Sequence, residues 1–422
     1  MSDDTSGPSA GLSSKRRYFV LFMLILVYIL NFLDRQIISI LAVPIKAEFN
    51  LTDTQMGWLG GLAFGSLYSI LAIPAAWLAD RFSRTWIMTG ALVVWSGFTG
   101  FCGLATNFTQ LFISRMGVGV GEAGGVAPAY SLVSDYFPPK SRARALAIYS
   151  LGIPVGAAAG TFVGGLLASD WRRAFITVGI AGIAVAPFFR LLVREPKRAA
   201  TAPALEKAPG ILTVARIAFA KPSFWLLAIG AGCSSLVGYG LMFWLPSFLV
   251  RSFHFALPEA SRFIATITLV GGVIGMLAGG WLADKLGQKS KSAYPLIPAA
   301  AFIVSAPLYA LGVLAVTPEH AFFLFLVPQA LGLMWLGPVL TAVQHLGPAR
   351  SRSQMSALFL LINNLIGLGV GPYFFGKMSD LFKPAYGADS IKYAFICGLA
   401  FYVLAALLLL LASRTLKKDW VD

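Results

Sequence analysis

Four charged residues, Asp34, Arg35, Arg115 and Glu122, lie well inside stretches of the chain that are otherwise almost continuously apolar. Charge in hydrocarbon costs several kcal/mol, so it is kept where it does something. Arginine holds its charge at any relevant pH, whereas a carboxylate can exchange its own for a proton. Two acids competing for one fixed cation would form a proton-driven switch, with Asp34 and Glu122 as the protonatable groups and Arg115 as their cation. The plainer alternative is a static ion pair that fixes helix packing. At 1.5 Å rise per residue, Asp34 falls about 13 Å below the outer end of its apolar run, Arg115 about 10 Å and Glu122 about 21 Å. Arg115 and Glu122 are seven apart, on one helix face and two turns from each other. Arg35 is offset by about 100° from Asp34, so the neighbours do not address one partner, and Arg35 is expected to serve packing or an outer gate.

Other chemistry finds no support in the sequence. Gly119 to Gly124 matches G-x-G-x-x-G, but it stands inside an apolar helix with no strand before it, so nucleotide binding is not expected. There is no H-E-x-x-H, no phosphate-binding loop and no G-x-S-x-G, and His254, His320 and His345 are scattered. No metal, cofactor or enzymatic activity is expected.

The elements that must position the four charges are membrane helices. The chain is 57% hydrophobic and 12% charged, and its apolar residues come in blocks of about 20, enough to cross the hydrocarbon as helices. Twelve blocks can be read, at roughly 18–43, 54–79, 86–105, 108–134, 145–168, 171–193, 223–250, 261–283, 295–316, 320–345, 354–380 and 391–413. They do not alternate as barrel strands would. The expected fold is all-α and polytopic. Most of the 33 Lys and Arg residues fall in connections on the side of the termini, which places both termini in the cytoplasm. The net charge of +15 therefore reports topology, not a nucleic-acid partner. The first apolar run is too long for a cleaved signal, and the minimal loops suit a bacterial inner membrane. Cys102, Cys233 and Cys397 all fall within spans, so no disulfide framework is implied. "NLT" at Asn50 and "NFT" at Asn107 fit the glycosylation pattern.

The domains read as a cytoplasmic tail (1–17), a six-helix bundle (18–193), a basic linker (194–222), a second six-helix bundle (223–413) and a C-terminal tail (414–422). Within the linker, 211–219 could lie in the interface, with Arg216 and Lys221 among the headgroups. Trp-Leu-Ala-Asp recurs at 77–80 and 281–284, after the second span of each half and followed by a base each time. That repeat favours duplication, an architecture of many secondary transporters. Glycines recur every fourth residue at 57–65, 117–125, 152–164 and 271–279, smooth stripes that let helices approach closely.

"ADRFSR" after the second span and "RMGVGVGEAG" in the fourth resemble motifs of the major facilitator superfamily. "NFLDRQ", "GVGEAGGVAPAYSLVSDYFP" and "SRARALAIYSLGIPVGAAAG" look like its Spinster branch. The resemblance implies alternating access between two pseudo-symmetric bundles, with spans 1, 4, 7 and 10 around a central cavity. It suggests Asp34, Arg115 and Glu122 as the polar site, and Asp80, Arg81 and Arg84 as a cytoplasmic latch, Asp80 lying near the start of span eleven. Ala76 replaces that motif's leading glycine. In the second copy, Asp284 and Lys285 are kept, but Gln288 stands where a base is usual. The Spinster branch is associated with lysophospholipid and sphingolipid-type substrates. Trp244 in "YGLMFWLP" and Trp335 in "GLMWLGP" are further candidates, for an apolar wall along a lipid tail.

The expected function is secondary transport of an amphipathic lipid-like anion, with proton coupling read from the buried acids and export favoured. The expected partners are that substrate, protons and the lipid bilayer, and a monomer is favoured. The alternatives are a symporter importing a small organic anion such as a sugar acid, and a non-transporting lipid sensor.

Overall fold

The computed structural model describes residues 14–196 and 210–421, and among these there is no strand. The helices are α1 (Ser14–Phe49), α2 (Asp53–Arg81), α3 (Arg84–Leu104), α4 (Phe108–Glu122), α5 (Val126–Tyr136), α6 (Arg144–Leu166) and α7 (Ala168–Leu192). There follow α8 (Ile211–Phe219), α9 (Pro222–Phe253), α10 (Leu257–Gly287), α11 (Ala293–Val313), α12 (Pro318–Gln344), α13 (352–386) and α14 (390–419). Among the described residues, ten stretches are long and apolar enough to cross a membrane. One of them, Arg352–Asp419, contains both α13 and α14, which turn at Gly387 with φ of 54°. The pair α4 and α5 is interrupted at Ala123–Gly125, and each piece alone is too short to span. The pattern is consistent with twelve spans. The N-terminal tail through residue 13 and linker residues 197–209 lie outside the described residues.

The described residues form two compact units, each discontinuous in the chain. The first comprises residues up to Gln36, Leu67–Gly160 and Asp170 onward to the linker; the second comprises Ile37–Ser66, Thr161–Ser169 and the chain from the linker to its C-terminal end. In the first unit, glycines set how closely α1, α3, α4 and α6 approach. A Cβ on Gly156 of α6 would sit 2.6 Å from the Ile29 carbonyl oxygen of α1, and one on Gly121 of α4 would sit 2.5 Å from the Trp95 nitrogen of α3. Neither contact leaves room for a side chain, so these helices meet backbone to backbone. The glycines of "GVGEAG" therefore do packing work. Asn107 caps α4, its side chain accepting from the Gln110 amide at 3.0 Å.

In the second unit, the start of α2 is laid against α13. A Cβ on Gly57 would stand 2.5 Å from the Pro372 carbonyl oxygen, and one on Gly61 2.5 Å from that of Gly369. Both helices are locally π-helical along this seam, at Trp58–Leu62 and Leu365–Val370. Such bulges are frequent at functional sites.

Candidate functional site

Arg115 and Asp34 face each other across α4 and α1 in the first unit, with Nη1 to Oδ1 at 3.9 Å and both side chains almost fully buried. That is an ion pair without a close hydrogen bond. The second oxygen of Asp34 accepts the hydroxyl of Thr99, which α3 supplies. The sequence reading did not include Thr99.

Arg35, expected to serve packing or an outer gate, pairs with the other buried acid. Its Nε donates to Glu122 Oε2 at 2.5 Å, and Glu122 is fully buried. The guanidinium is flanked by rings, with its carbon 4.8 Å from the Phe32 centroid and 4.2 Å from that of Tyr68. The phase offset between Asp34 and Arg35 holds, but a long side chain that leans toward the helix N-terminus reaches past its own turn. The two helices thus carry two acid–base pairs, Asp34 with Arg115 and Glu122 with Arg35, and the four charges cancel. Paired cations and anions are how charge is tolerated at such burial. The site offers two acids able to take a proton and two cations able to receive an anion.

The three residues expected as a latch separate in the structure. Arg84 is buried at the first turn of α3, where its Nε donates to Glu195 at 2.8 Å and Nη1 to Asp135 at 2.5 Å and Ser131 at 2.7 Å. Glu195 also accepts from the Thr85 amide at 2.9 Å, so an anion sits at the N-terminus of α3, where the helix dipole favours it. Burial pushes the Glu195 carboxyl upward, but the Thr85 amide and Arg84 outweigh it and hold it below its ordinary value. Arg84 is thus an anchor among α3, α5 and the segment that follows α7. Asp80 and Arg81 are exposed, and the Arg81 guanidinium lies 3.8 Å from the Trp77 ring centroid. The second copy of the repeat does the same, with Lys285 lying 4.7 Å from the Trp281 ring and Asp284 exposed.

The two tryptophans proposed for an apolar wall are buried among protein groups. Trp244 is fully buried and its Nε1 donates to the Pro372 carbonyl at 2.8 Å, while Trp335 lies edge to face with Phe359.

A second charged cluster, missed in the sequence, lies where α1 passes into α2. Asp53 is 1% exposed and accepts two bonds from Arg251 of α9, at 2.8 and 2.7 Å, one from Ser379 of α13 at 2.6 Å, and one from Lys46 of α1. Asp380 of α13 in turn caps α2, accepting from the amides of Asp53 at 3.1 Å and Thr54 at 2.7 Å. The one local signal was the capping box at Thr52 and Gln55; nothing in the sequence pointed from there to residues about 200 and 330 positions away.

Apolar helices long enough to span a bilayer, an internal repeat, and opposed charges buried between two of the helices define a polytopic membrane transporter. The Major Facilitator Superfamily model matches residues 24–372, and the chain belongs to that family. It is 31% identical over 413 residues to an MFS-type efflux pump of Mycolicibacterium smegmatis, covering 97% of this chain and 95% of that protein. It is 30% identical over 400 residues to human protein spinster homolog 1, covering 88% of this chain and 74% of that one. Among solved structures, it is similar to a bacterial homolog of the human lysosomal transporter Spinster in an inward-facing, unoccupied conformation. The TM-score there is 0.88 at 32% identity, with 97% of this chain and 100% of that chain covered. The chain is therefore a Spinster-type transporter of the superfamily, with the alternating access that such folds use.

Proposed function

We propose that the protein is a proton-coupled secondary transporter of an amphipathic, lipid-like anion of the lysophospholipid or sphingolipid type, working in the direction of export. The observation that carries proton coupling is the double pairing of Asp34 with Arg115 and Glu122 with Arg35. A headgroup carrying an amine beside its phosphate would split either pair, phosphate to arginine and amine to carboxylate, and protonating that carboxylate would evict the amine, so that proton and substrate compete for one buried acid. Export is supported by likeness to a protein named as an efflux pump, and a lipid-like substrate by likeness to Spinster proteins. The proposed setting is a bacterial inner membrane with both termini in the cytoplasm and two six-helix bundles joined by the 194–222 linker. Asp80 and Arg81 remain the proposed latch residues, with Arg84 holding the helix that follows them.

The test is flux of a fluorescent lysophospholipid in proteoliposomes, driven by an imposed pH gradient. Asp34→Asn and Glu122→Gln are each expected to abolish the gradient-driven component while leaving counterflow. If both variants retain wild-type flux and its pH dependence, the assignment fails. Counterflow by a sugar acid in place of the lysolipid would point to the import of a small organic anion. Binding without flux under any gradient would point to a sensor.

A further inference from the structure

Asn31 lies on the same helix as Asp34 and Arg35 and is only 2% exposed. Neither its Nδ2 nor its Oδ1 has a hydrogen-bond partner among the described residues. Leaving both halves of an amide unsatisfied away from water is costly, so such a residue is kept where some state of the protein pairs it. Two carboxylate oxygens nearby also lack hydrogen bonds, Oδ1 of Asp34 and Oε1 of Glu122.

Helix geometry places Asn31 against both pairs. Asp34 is three residues on and Arg35 four, the two spacings that bring side chains together on a helix. Side chains lean toward the helix N-terminus, so Asp34 and Arg35 both lean back over the turn of Asn31. Arg35 carries Glu122 with it, at 2.5 Å. Depth agrees. Counted at 1.5 Å per residue on the scale used above, Asn31 lies about 18 Å below the outer end of its span, against about 21 Å for Glu122.

We propose that Asn31 is a positioning residue for Glu122, receiving its carboxyl group once a proton has released it from Arg35. This rests on the proton-coupled reading above. The chemistry balances without further reactants. A proton adds to one carboxylate oxygen of Glu122 and the ion pair with Arg35 opens. The new O–H donates to Asn31 Oδ1, while Asn31 Nδ2–H donates to the other carboxyl oxygen, a cyclic acid–amide pair that satisfies all four groups. An apolar residue at 31 offers neither bond, and aspartate would add a third negative charge. The charged groups that act on Glu122 are Arg35 and Asp34 on α1 and Arg115 on α4, and Tyr28 on α1 interacts with Arg35, Tyr68 on α2, Tyr130 and Tyr149.

Infrared difference spectra of the purified protein, titrated with acid, test this without a substrate. The wild type is expected to show the C=O band of a carboxylic acid that Glu122→Gln removes and Asp34→Asn leaves in place. In Asn31→Leu that band should persist but move to higher frequency, because the acid has lost its amide partner. Asn31→Gln should restore most of the shift. A band in Asn31→Leu at the wild-type frequency overturns the proposal while leaving proton uptake by Glu122 intact. If Glu122→Gln removes no part of the titrating C=O signal, or if no such signal titrates at all, the proton reading of Glu122 itself is overturned and this proposal with it. If Asn31→Leu does not fold, Asn31→Ala removes the same two bonds and is read in the same way.

Discussion

Replacing Asp53 by Asn keeps the size of the side chain and removes the one negative charge that faces both Arg251 and Lys46. Breaking a fully buried ion pair from one side costs about 3–5 kcal/mol. Here the Arg251 and Lys46 side chains are 21% and 22% exposed, so water can partly compensate them, whereas Asp53 itself is at 1%. A cost of about 2–3 kcal/mol is the fitting figure, since solvent screening reduces the worth of a pair. At 1.4 kcal/mol per factor of ten, that is roughly a 30- to 140-fold shift in the equilibrium between this packed arrangement and any in which the start of α2 has left α13.

Amide hydrogen exchange reads that equilibrium directly, because exchange of locally opened segments tracks their opening free energy. The amides of Asp53 and Thr54 are held by the Asp380 carboxylate, and the glycine seam runs from 57 to 65 against 369–376. Segments 51–66 and 365–380 of Asp53→Asn should therefore exchange at least about 30-fold faster, while 110–122 in the first unit should not change. Arg251→Gln should produce much of the same effect, and the double variant should fall well short of the sum, as contacting groups do. Exchange in both segments within about threefold of wild type would refute the reasoning and reduce the cluster to a surface ion pair.

Two further outcomes follow from packing and from charge. Gly121→Ala drives a methyl against the Trp95 backbone, which cannot yield as a side-chain tip could. It should destabilise by about 1–3 kcal/mol, whereas Gly97→Ala, with nothing within 4 Å, should be neutral or gain up to about 1 kcal/mol. Thermal unfolding in detergent compares the two, and equal midpoints would contradict the seam. Glu195 is held below its ordinary value, so its contribution is fully present above that value and is lost as pH falls through the lower folded one. Glu195→Gln should lower stability near neutrality and flatten the acid side of the stability profile, and a profile parallel to wild type would remove Glu195 from the Arg84 anchor.

Much of the fold was legible because hydrocarbon imposes length: a span needs its run of apolar residues, and the runs are there to be counted. The burial of Asp34, Arg115 and Glu122 was legible for the same reason, as charge stands out against such runs. The pairing was only half legible. Matching depth linked Asp34 to Arg115, but angular phase describes where a Cβ points, not where a guanidinium four bonds further out arrives, and so Arg35 was separated from Glu122. The Asp53 cluster was not legible, because its members stand at helix ends where charge is commonplace, and their partners are distant in sequence. The interruption between α4 and α5 was hidden too, since the glycines that permit it also read as a packing stripe. Repetition carried more than it first suggested. Trp-Leu-Ala-Asp-base was a sign of duplication, and the structure adds a base over a tryptophan one turn away in both copies.

The crossed pairs also constrain which headgroup could exchange for a proton. Asp34, Arg35, Arg115 and Glu122 sum to zero, so adding one proton leaves a single positive charge in a buried place. A simple anion would neutralise it by binding the released arginine. Proton and anion would then bind together and travel in the same direction. Exchange needs competition instead, in which the substrate occupies what the proton would occupy. A headgroup carrying both a phosphate and an amine supplies that, with the phosphate on an arginine and the amine on the carboxylate opposite, since it splits a pair without changing the total charge. Protonation of that carboxylate evicts the amine. On this logic, a lipid with anionic groups alone would move with the proton, and the export proposed above asks for a headgroup whose phosphate is accompanied by an amine.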